Sequence, residues 1–206
     1  MLNTAAWTAL VAGLAFGLSL IVVIGPQNAY VLRQGVLRHH VPTIVTICSF
    51  SDAVLIAAGV GGASAVLSGR QWLLSVVRVA GSAFLFGYGA LAARRAWRPA
   101  AARTGGEAND SSWTAAAGAC LVFTWLNPAV YLDTVVLLGS VANTRPGHQW
   151  WFGGGAVVAS VLWFTALGFG ARLLEPVFER PRAWQALDVF VAVVMVGTGL
   201  RVLVRA

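Results

Sequence analysis

The chain has 206 residues, of which 58% are hydrophobic and only 10% are charged. A soluble domain carries about a quarter charged residues, so this composition cannot cover a water-exposed surface and we expect lipid to surround much of the protein. The net charge of +7 comes from arginine, since the sequence contains no lysine. These arginines fall in short segments between apolar runs, which is typical of membrane orientation signals and argues against a nucleic-acid-binding protein.

Six apolar segments reach or approach the roughly 20 residues that a membrane-crossing helix needs. They cover residues 4–31, 41–67, 71–93, 113–141, 150–171 and 186–204. Residues 1–23 contain neither Lys nor Arg, so we expect the first helix to be retained and not cleaved as a signal peptide. The sequence therefore predicts an all-α membrane protein with six transmembrane helices.

Arginine content differs between the two sides of these segments. Nine arginines follow the first, third and fifth segments, and three lie on the opposite side. Arginines in short loops stay in the cytoplasm, so this bias predicts that both termini lie outside. The nine are Arg33, Arg38, Arg94, Arg95, Arg98, Arg103, Arg172, Arg180 and Arg182, and the three are Arg70, Arg145 and Arg205.

The two halves of the chain resemble each other. Residues 94–112 form a polar, Gly-containing segment between residues 1–93 and residues 113–206. Three short motifs recur in the same order, with offsets of 102, 109 and 110 residues. The pairs are GP at 25–26 with NP at 127–128, GVG at 59–61 with GFG at 168–170, and GYG at 87–89 with GTG at 197–199.

Three helices in each half make the second half inverted relative to the first. We therefore expect one transmembrane domain over residues 1–206, built from two inverted three-helix repeats with a cytoplasmic linker at 94–112. Inverted repeats whose interrupted helices correspond are typical of transporters, with the binding site at the repeat interface. Gly-rich segments could pack helices within one chain or between two copies, so a homo-oligomer stays open.

Helices one and four are predicted to break at Pro26 and Pro128, because proline removes a backbone donor and clashes with the preceding turn. The half-helix after each break would direct a positive N-terminus into the protein, where it can accept a carboxylate. The polar and turn residues at the two breaks are the candidate ligands: Gly25, Pro26, Gln27, Asn28, Asn127 and Pro128. The alternative is that each proline only kinks a helix for packing.

Two tyrosines follow the breaks, Tyr30 by four residues and Tyr131 by three. Both can line the site, and packing with an interfacial hydroxyl explains them equally well. Asp188 and Glu175 lie near segment ends, where we expect them to be hydrated.

Asp52 and Asp133 are the acidic residues that lie away from the ends of the predicted membrane segments. A buried membrane carboxylate costs at least ~2.5 kcal/mol on insertion scales, so it persists where it pairs, meets water or carries a proton. A structural ion pair with Arg78 is the alternative, although one arginine neutralises two separated aspartates poorly. We expect at least one of the two aspartates to be functional.

Several sequence stretches resemble the lysine/arginine exporter (LysE) family of bacterial inner-membrane proteins. They are SLIVVIGPQNAYVLRQG, CSFSDAVLIAAG and FTWLNPAVYLDTVVLLGS, and with the length and the six apolar segments the resemblance covers nearly the whole chain. It implies that the first motif contains Gly25, Pro26, Gln27 and Asn28, the second contains Asp52, and the fourth segment contributes Asn127, Pro128 and Asp133.

The resemblance implies export of amino acids driven by the proton gradient. Related branches that export neutral amino acids have a shorter GP-x-N motif without the same acidic pair, which favours a basic amino acid here. Half-helix N-termini suit its carboxylate, and Asp52 or Asp133 suits its cationic end. Burial disfavours an unpaired charge, so a proton and the substrate could compete for one of these carboxylates. Arginine and lysine remain undistinguished.

Other functions remain open at this point, including export of another amino acid or of another cation. A thiol–disulfide electron carrier of similar topology would need Cys48 and Cys120 close to the prolines. A passive channel would use the same breaks and acids, and metal export would be poorly served by two aspartates without clustered Cys or His. The sequence contains no Walker loop or nucleophile motif, so we expect neither an enzyme nor a cofactor or bound metal.

Overall fold

The computed structural model describes residues 4–23, 25–62, 71–97, 113–178 and 180–204, and every regular element in these ranges is helical. The α-helices are α1 (Thr4–Ile21), α2 (Pro26–Leu37), α3 (Val41–Val60), α4 (Gln71–Trp97), α5 (Trp113–Trp125), α6 (Pro128–Val130), α7 (Gly139–Asn143), α8 (Gln149–Gly170), α9 (Glu175–Phe178) and α10 (Pro181–Val204). A π-helix (Tyr131–Leu138) joins α6 to α7, and a 3₁₀ helix (Ala171–Leu174) joins α8 to α9.

Helix α1 ends at Ile21 and α2 begins at Pro26. Gly25 precedes α2 in an extended conformation, with φ −106° and ψ −178°. Proline suits the first helical position because its fixed φ is already helical and its missing N–H would have had no partner there. A tight turn connects α2 to α3. In this turn Arg38 and His40 both adopt the left-handed conformation.

The second proline segment is built differently. Helix α5 ends at Trp125, and Pro128 begins one short turn that widens at once into the π-helix containing Asp133. π-Helical geometry is rare and is found frequently at functional sites. Hydrophobic periodicity does not distinguish this wider winding from an ordinary helix, so the sequence did not predict it.

Four described helices are long and apolar enough to cross a membrane: Thr4–Ile21, Val41–Val60, Gln149–Leu174 and Arg182–Val204. Trp113–Trp125 and Tyr131–Asn143 are shorter apolar helices. The predicted segment 4–31 is divided between α1, which is one of these four helices, and α2, whereas segment 113–141 is divided among shorter helices. Helix α4 has 27 residues and contains Arg78, Arg94 and Arg95.

Close helix crossings depend on glycine. A Cβ atom added to Gly13 would lie 1.9 Å from the carbonyl oxygen of Phe152, and one added to Gly155 would lie 2.0 Å from that of Leu10. Backbones of α1 and α8 therefore touch directly, as small residues allow in membrane helices. Helix α8 also packs on α2 and α3, while α4 packs on α10.

Candidate functional site

A cavity of about 200 Å³ lies at the junction of the two proline segments with α1, α3, α8 and α10. Sites for drug-sized ligands begin at roughly 300 Å³, so this one suits a smaller molecule. Its polar and charged lining residues are Gln27, Asn28, Asp52, Asn127, Asp133, Thr134, Ser160, Thr198 and Arg201. The remaining lining is apolar or glycine, and it includes Gly25 and Pro26.

Asp52 is held in the wall of the cavity. Its side chain is 7% exposed, and its Oδ2 accepts a hydrogen bond of 2.7 Å from Oγ of Ser160. The bond links α3 to α8 and orients the carboxylate where both residues line the cavity. Asp133, in the π-helix, is an exposed residue that lines the same cavity. The structure therefore brings the two predicted aspartates to one space.

Asn28 closes the gap between α1 and α2. Its Nδ2 donates to the carbonyl oxygens of Ile21 at 2.7 Å and Val23 at 3.0 Å, and its Oδ1 accepts from Nε1 of Trp163 at 3.2 Å. Carbonyls freed at the end of a helix need such partners where water is scarce. Asn28 thus satisfies the end of α1 and ties the break to α8 while also lining the cavity.

At the second proline segment, the side chains of other residues form the hydrogen bonds to backbone groups at the helix ends. Oδ1 of Asn127 accepts from the backbone N–H of Ala129 at 3.1 Å, which caps the helical segment beginning at Pro128. The hydroxyl of Tyr131 donates to the carbonyl oxygen of Trp125 at 2.8 Å and satisfies the end of α5. The N-terminus of the helical segment that begins at Pro128 is therefore capped by the side chain of Asn127, whereas no side chain of a described residue caps α2.

Most of the predicted site residues meet at the cavity, namely Gly25, Pro26, Gln27, Asn28, Asp52, Asn127 and Asp133. The two tyrosines have structural contacts instead, and neither is among the described residues that line this cavity. Tyr30 packs against Phe123 and Tyr88, with ring centroids 5.2 and 6.3 Å apart, and Tyr131 bonds to Trp125. The side chain of Pro128 lies outside the described residues.

Four polar lining residues were not predicted: Thr134, Ser160, Thr198 and Arg201. The repeat contained a signal for one of them, because Ser160 follows Ser51 by 109 residues, the offset that separates Gly59 from Gly168. Arg201 was visible as a charge inside the sixth apolar segment. Its position near the segment end gave no indication that it lines a cavity.

A second charged cluster corrects the expectation for Asp188. This residue is fully buried, with Nε of Arg95 at 3.2 Å and Nε of Arg33 at 3.6 Å from its Oδ1. The guanidinium of Arg95 also lies 5.5 Å from the ring centroid of Tyr88. Asp188 is buried because α2 and α4 both pack on α10 and place Arg33 and Arg95 against its carboxylate. The side chain of Glu175 lies outside the described residues.

The two cysteines lie outside the described cavity lining, where their side chains are hydrogen-bonded to each other. Cys48 and Cys120 are free thiols, fully buried in the hydrophobic core, and neither belongs to the described cavity lining. Metal-binding groups of three or more His, Cys, Asp or Glu do not occur among the residues that the structure describes.

The family model described as LysE type translocator matches residues 18–206. The chain belongs to the LysE family. Members of this family are transporters and not enzymes, and the long apolar helices of the described residues agree with a membrane protein. No solved structure matches the chain.

Relatives within the family are similar over nearly their full length. The chain is 50% identical over 189 residues to the Mycobacterium tuberculosis protein named "Putative amino-acid transporter Rv0488", covering 92% of this chain and 94% of that protein. It is 41% identical over 191 residues to "Arginine exporter protein ArgO" of Serratia proteamaculans, covering 92% and 93%. Identity to the protein of the same name from Pectobacterium atrosepticum is 37% over 196 residues, covering 95% and 96%.

Proposed function

We propose that this LysE-family transporter exports cationic L-amino acids, arginine or lysine, across the bacterial inner membrane in exchange for protons. The observation that carries the proposal is the meeting of Asp52 and Asp133 at one small cavity that is also lined by Gln27, Asn28 and Asn127. Two relatives that carry the name arginine exporter, at 41% and 37% identity, support arginine as a substrate.

The cationic end of the substrate would meet the aspartates. A carboxylate accepts a guanidinium through two parallel hydrogen bonds and an ammonium through one, and charge-assisted bonds are about twice as strong as neutral ones. The carboxylate end would meet the N-terminus of α2, whose helix dipole favours an anion. The N-terminus after Asn127 is a poorer partner, because the Asn127 side chain already bonds to it.

Proton exchange would use the same carboxylates. An unpaired charge is costly in a space as shielded as that around Asp52, so a proton can replace the departing cation. Arrival of the next cationic substrate would displace that proton. Such competition couples outward movement of the amino acid to inward movement of protons without a further ion.

We further propose six spans arranged as two inverted repeats in one domain, in which α1 with α2, and α5 with the segment through α7, each form one broken span. Two glycine contacts support this symmetry. A Cβ atom on Gly35 would lie 2.5 Å from the carbonyl oxygen of Gly168, and one on Gly139 would lie 2.5 Å from that of Gly59. The repeated motifs equate Gly59 with Gly168, and Gly139 follows Gly35 by 104 residues, two more than the offset between the proline motifs, so the two contacts join nearly corresponding positions of the two halves.

The orientation of this domain follows from the nine arginines after the first, third and fifth segments, which we propose to be cytoplasmic, with both termini outside. A reporter fused to either end that is active only in the cytoplasm would contradict this arrangement. Such a result would leave the proposed substrate untouched.

The transport proposal is tested in proteoliposomes loaded with radiolabelled arginine. We expect saturable efflux that accelerates when the external side is made acidic. The rate of arginine efflux should fall at least tenfold in Asp52→Asn or Asp133→Asn, because each substitution removes one charged hydrogen-bonding partner of the substrate. Asp110→Asn, which removes a carboxylate from the linker sequence, is the matched control. Wild-type rates in both cavity variants would refute the role of the aspartates.

The same vesicles separate the proposal from a passive channel. A carrier saturates with arginine and shows counterflow when unlabelled arginine is present on the opposite side. Flux that rises linearly with concentration and ignores the proton gradient would identify a channel.

A further inference from the structure

Arg201 is the described basic side chain among the residues that line the cavity. It lies in the last turns of α10, three residues after Thr198, which lines the cavity as well. Residues three apart share one face of a helix, so the same face of α10 presents a hydroxyl and a guanidinium to this space. Charged side chains within membrane segments usually face such cavities and mark the path of a substrate.

The ionisable residues of the described cavity lining are two acids and one base: Asp52, Asp133 and Arg201. Free arginine and free lysine carry the complementary set, since each has two cationic groups and one carboxylate. Asp52 can accept a cationic group of the substrate. The guanidinium of Arg201 is the cationic group of the described lining, and it can bind the carboxylate through two parallel hydrogen bonds.

Backbone groups alone would bind this carboxylate weakly. The N-terminus of a helix is equivalent to only about half a positive charge, which salt and water reduce further. Asn127 occupies the N–H of Ala129 after the second proline, which removes a donor there. The guanidinium of Arg201 on α10 carries a full positive charge and can therefore bind the carboxylate more strongly than these backbone donors.

We infer that Arg201 binds the α-carboxylate of the transported amino acid and makes the transporter select free amino acids over amines and amides of the same length. This inference rests on the proposed function, because it assigns the second end of the same substrate. It goes beyond a preference for cations, since agmatine and argininamide keep the guanidinium of arginine but lack its carboxylate.

The inference can be tested on the wild-type protein by comparing its affinity for arginine with its affinity for analogues that lack the carboxylate. Purified transporter is titrated with arginine, argininamide and agmatine, and binding is followed by the ligand-induced rise in Tm and by competition with radiolabelled arginine. A lost charge-assisted hydrogen-bonding partner predicts binding of argininamide and agmatine that is roughly ten- to hundredfold weaker than that of arginine. Equal affinity for arginine and argininamide would overturn the role of Arg201. Failure to bind arginine at all would instead refute the proposed function.

Variants then locate the selectivity. Arg201→Gln should reduce the preference for arginine over argininamide to about twofold or less, because the other residues of the site would bind only the cationic groups that both ligands have. Arg201→Lys keeps the positive charge and should retain part of the preference. Arg172→Gln removes an exposed arginine from the 3₁₀ helix, outside the described cavity lining, and should leave the preference unchanged.

An interfacial role for Arg201, with its guanidinium at the lipid headgroups, gives a different result. Arg201→Gln would then bind both ligands as the wild type does, and that outcome overturns the inference. If Arg201→Gln does not accumulate as folded protein, the ligand series on the wild type and on Arg201→Lys decides the question.

Discussion

Oγ of Ser160 donates a hydrogen bond of 2.7 Å to Oδ2 of Asp52, and both side chains are almost completely buried. The bond joins the middle of α8 to the middle of α3 and fixes one oxygen of the carboxylate at the cavity wall. Asp52 is therefore oriented by a residue from the other half of the chain. The consequences of this arrangement can be measured at several sites.

Ser160→Ala should weaken transport without unfolding the protein. Loss of a hydrogen bond to a charged group costs about 1.5–3 kcal/mol, so we expect kcat/KM for arginine efflux to fall by roughly ten- to hundredfold. Ser160→Thr keeps the hydroxyl and serves as the matched control. An Ala variant with wild-type kcat/KM would show that orientation of Asp52 is unimportant.

Asp188→Asn should destabilise the protein rather than alter its selectivity. The substitution leaves Arg33 and Arg95, whose side chains are 15% and 18% exposed, without the buried carboxylate between them. Breaking a buried ion pair from one side costs on the order of 3 kcal/mol, which should appear as a clear fall in Tm in detergent. An unchanged Tm would mean that water already compensates these arginines.

Gly155→Ala should prevent the close approach of α1 and α8. Its new methyl group would lie 2.0 Å from the carbonyl oxygen of Leu10, and the contact atom is backbone that cannot rotate away. Gly154→Ala is the control, since a Cβ atom there meets no described atom within 4 Å. We expect little folded Gly155→Ala protein in the membrane, whereas Gly154→Ala should accumulate normally and gain up to ~1 kcal/mol from helix propensity.

Asn28→Ala should cost more stability than Tyr131→Phe. Asn28 makes three side-chain hydrogen bonds at the first proline segment, and the hydroxyl of Tyr131 makes one at the second. Each unsatisfied carbonyl in a shielded place costs about 1–3 kcal/mol, so the two variants should differ by several degrees in Tm. Equal Tm values would indicate that water satisfies the end of α1.

Much of the candidate site was predictable because it rests on local chemistry. Pro26 was predicted to interrupt a helix, and in the structure it is the first residue of α2, while the amides beside the two prolines were identified from their position. Asp52 and Asp133 were singled out by their mid-segment location, but that they line the same cavity was not predicted. Asn28 and Tyr131 were expected near the substrate, but their hydrogen bonds to helix-end carbonyls could not be foreseen, because the partners depend on the path of each break.

Composition and apolar runs by themselves determined that this chain is a helical membrane protein, since so few charges cannot cover a surface in water. Its motifs likewise determined the family. Only the tertiary structure decided which distant groups meet: Ser160 with Asp52, Arg201 at the cavity, and Asp188 between two arginines. Such contacts depend on how helices cross, and the crossings depend on backbone approach at glycines such as Gly13 and Gly155. Hydrophobic periodicity reports which face of a helix is apolar but not which helix lies against it.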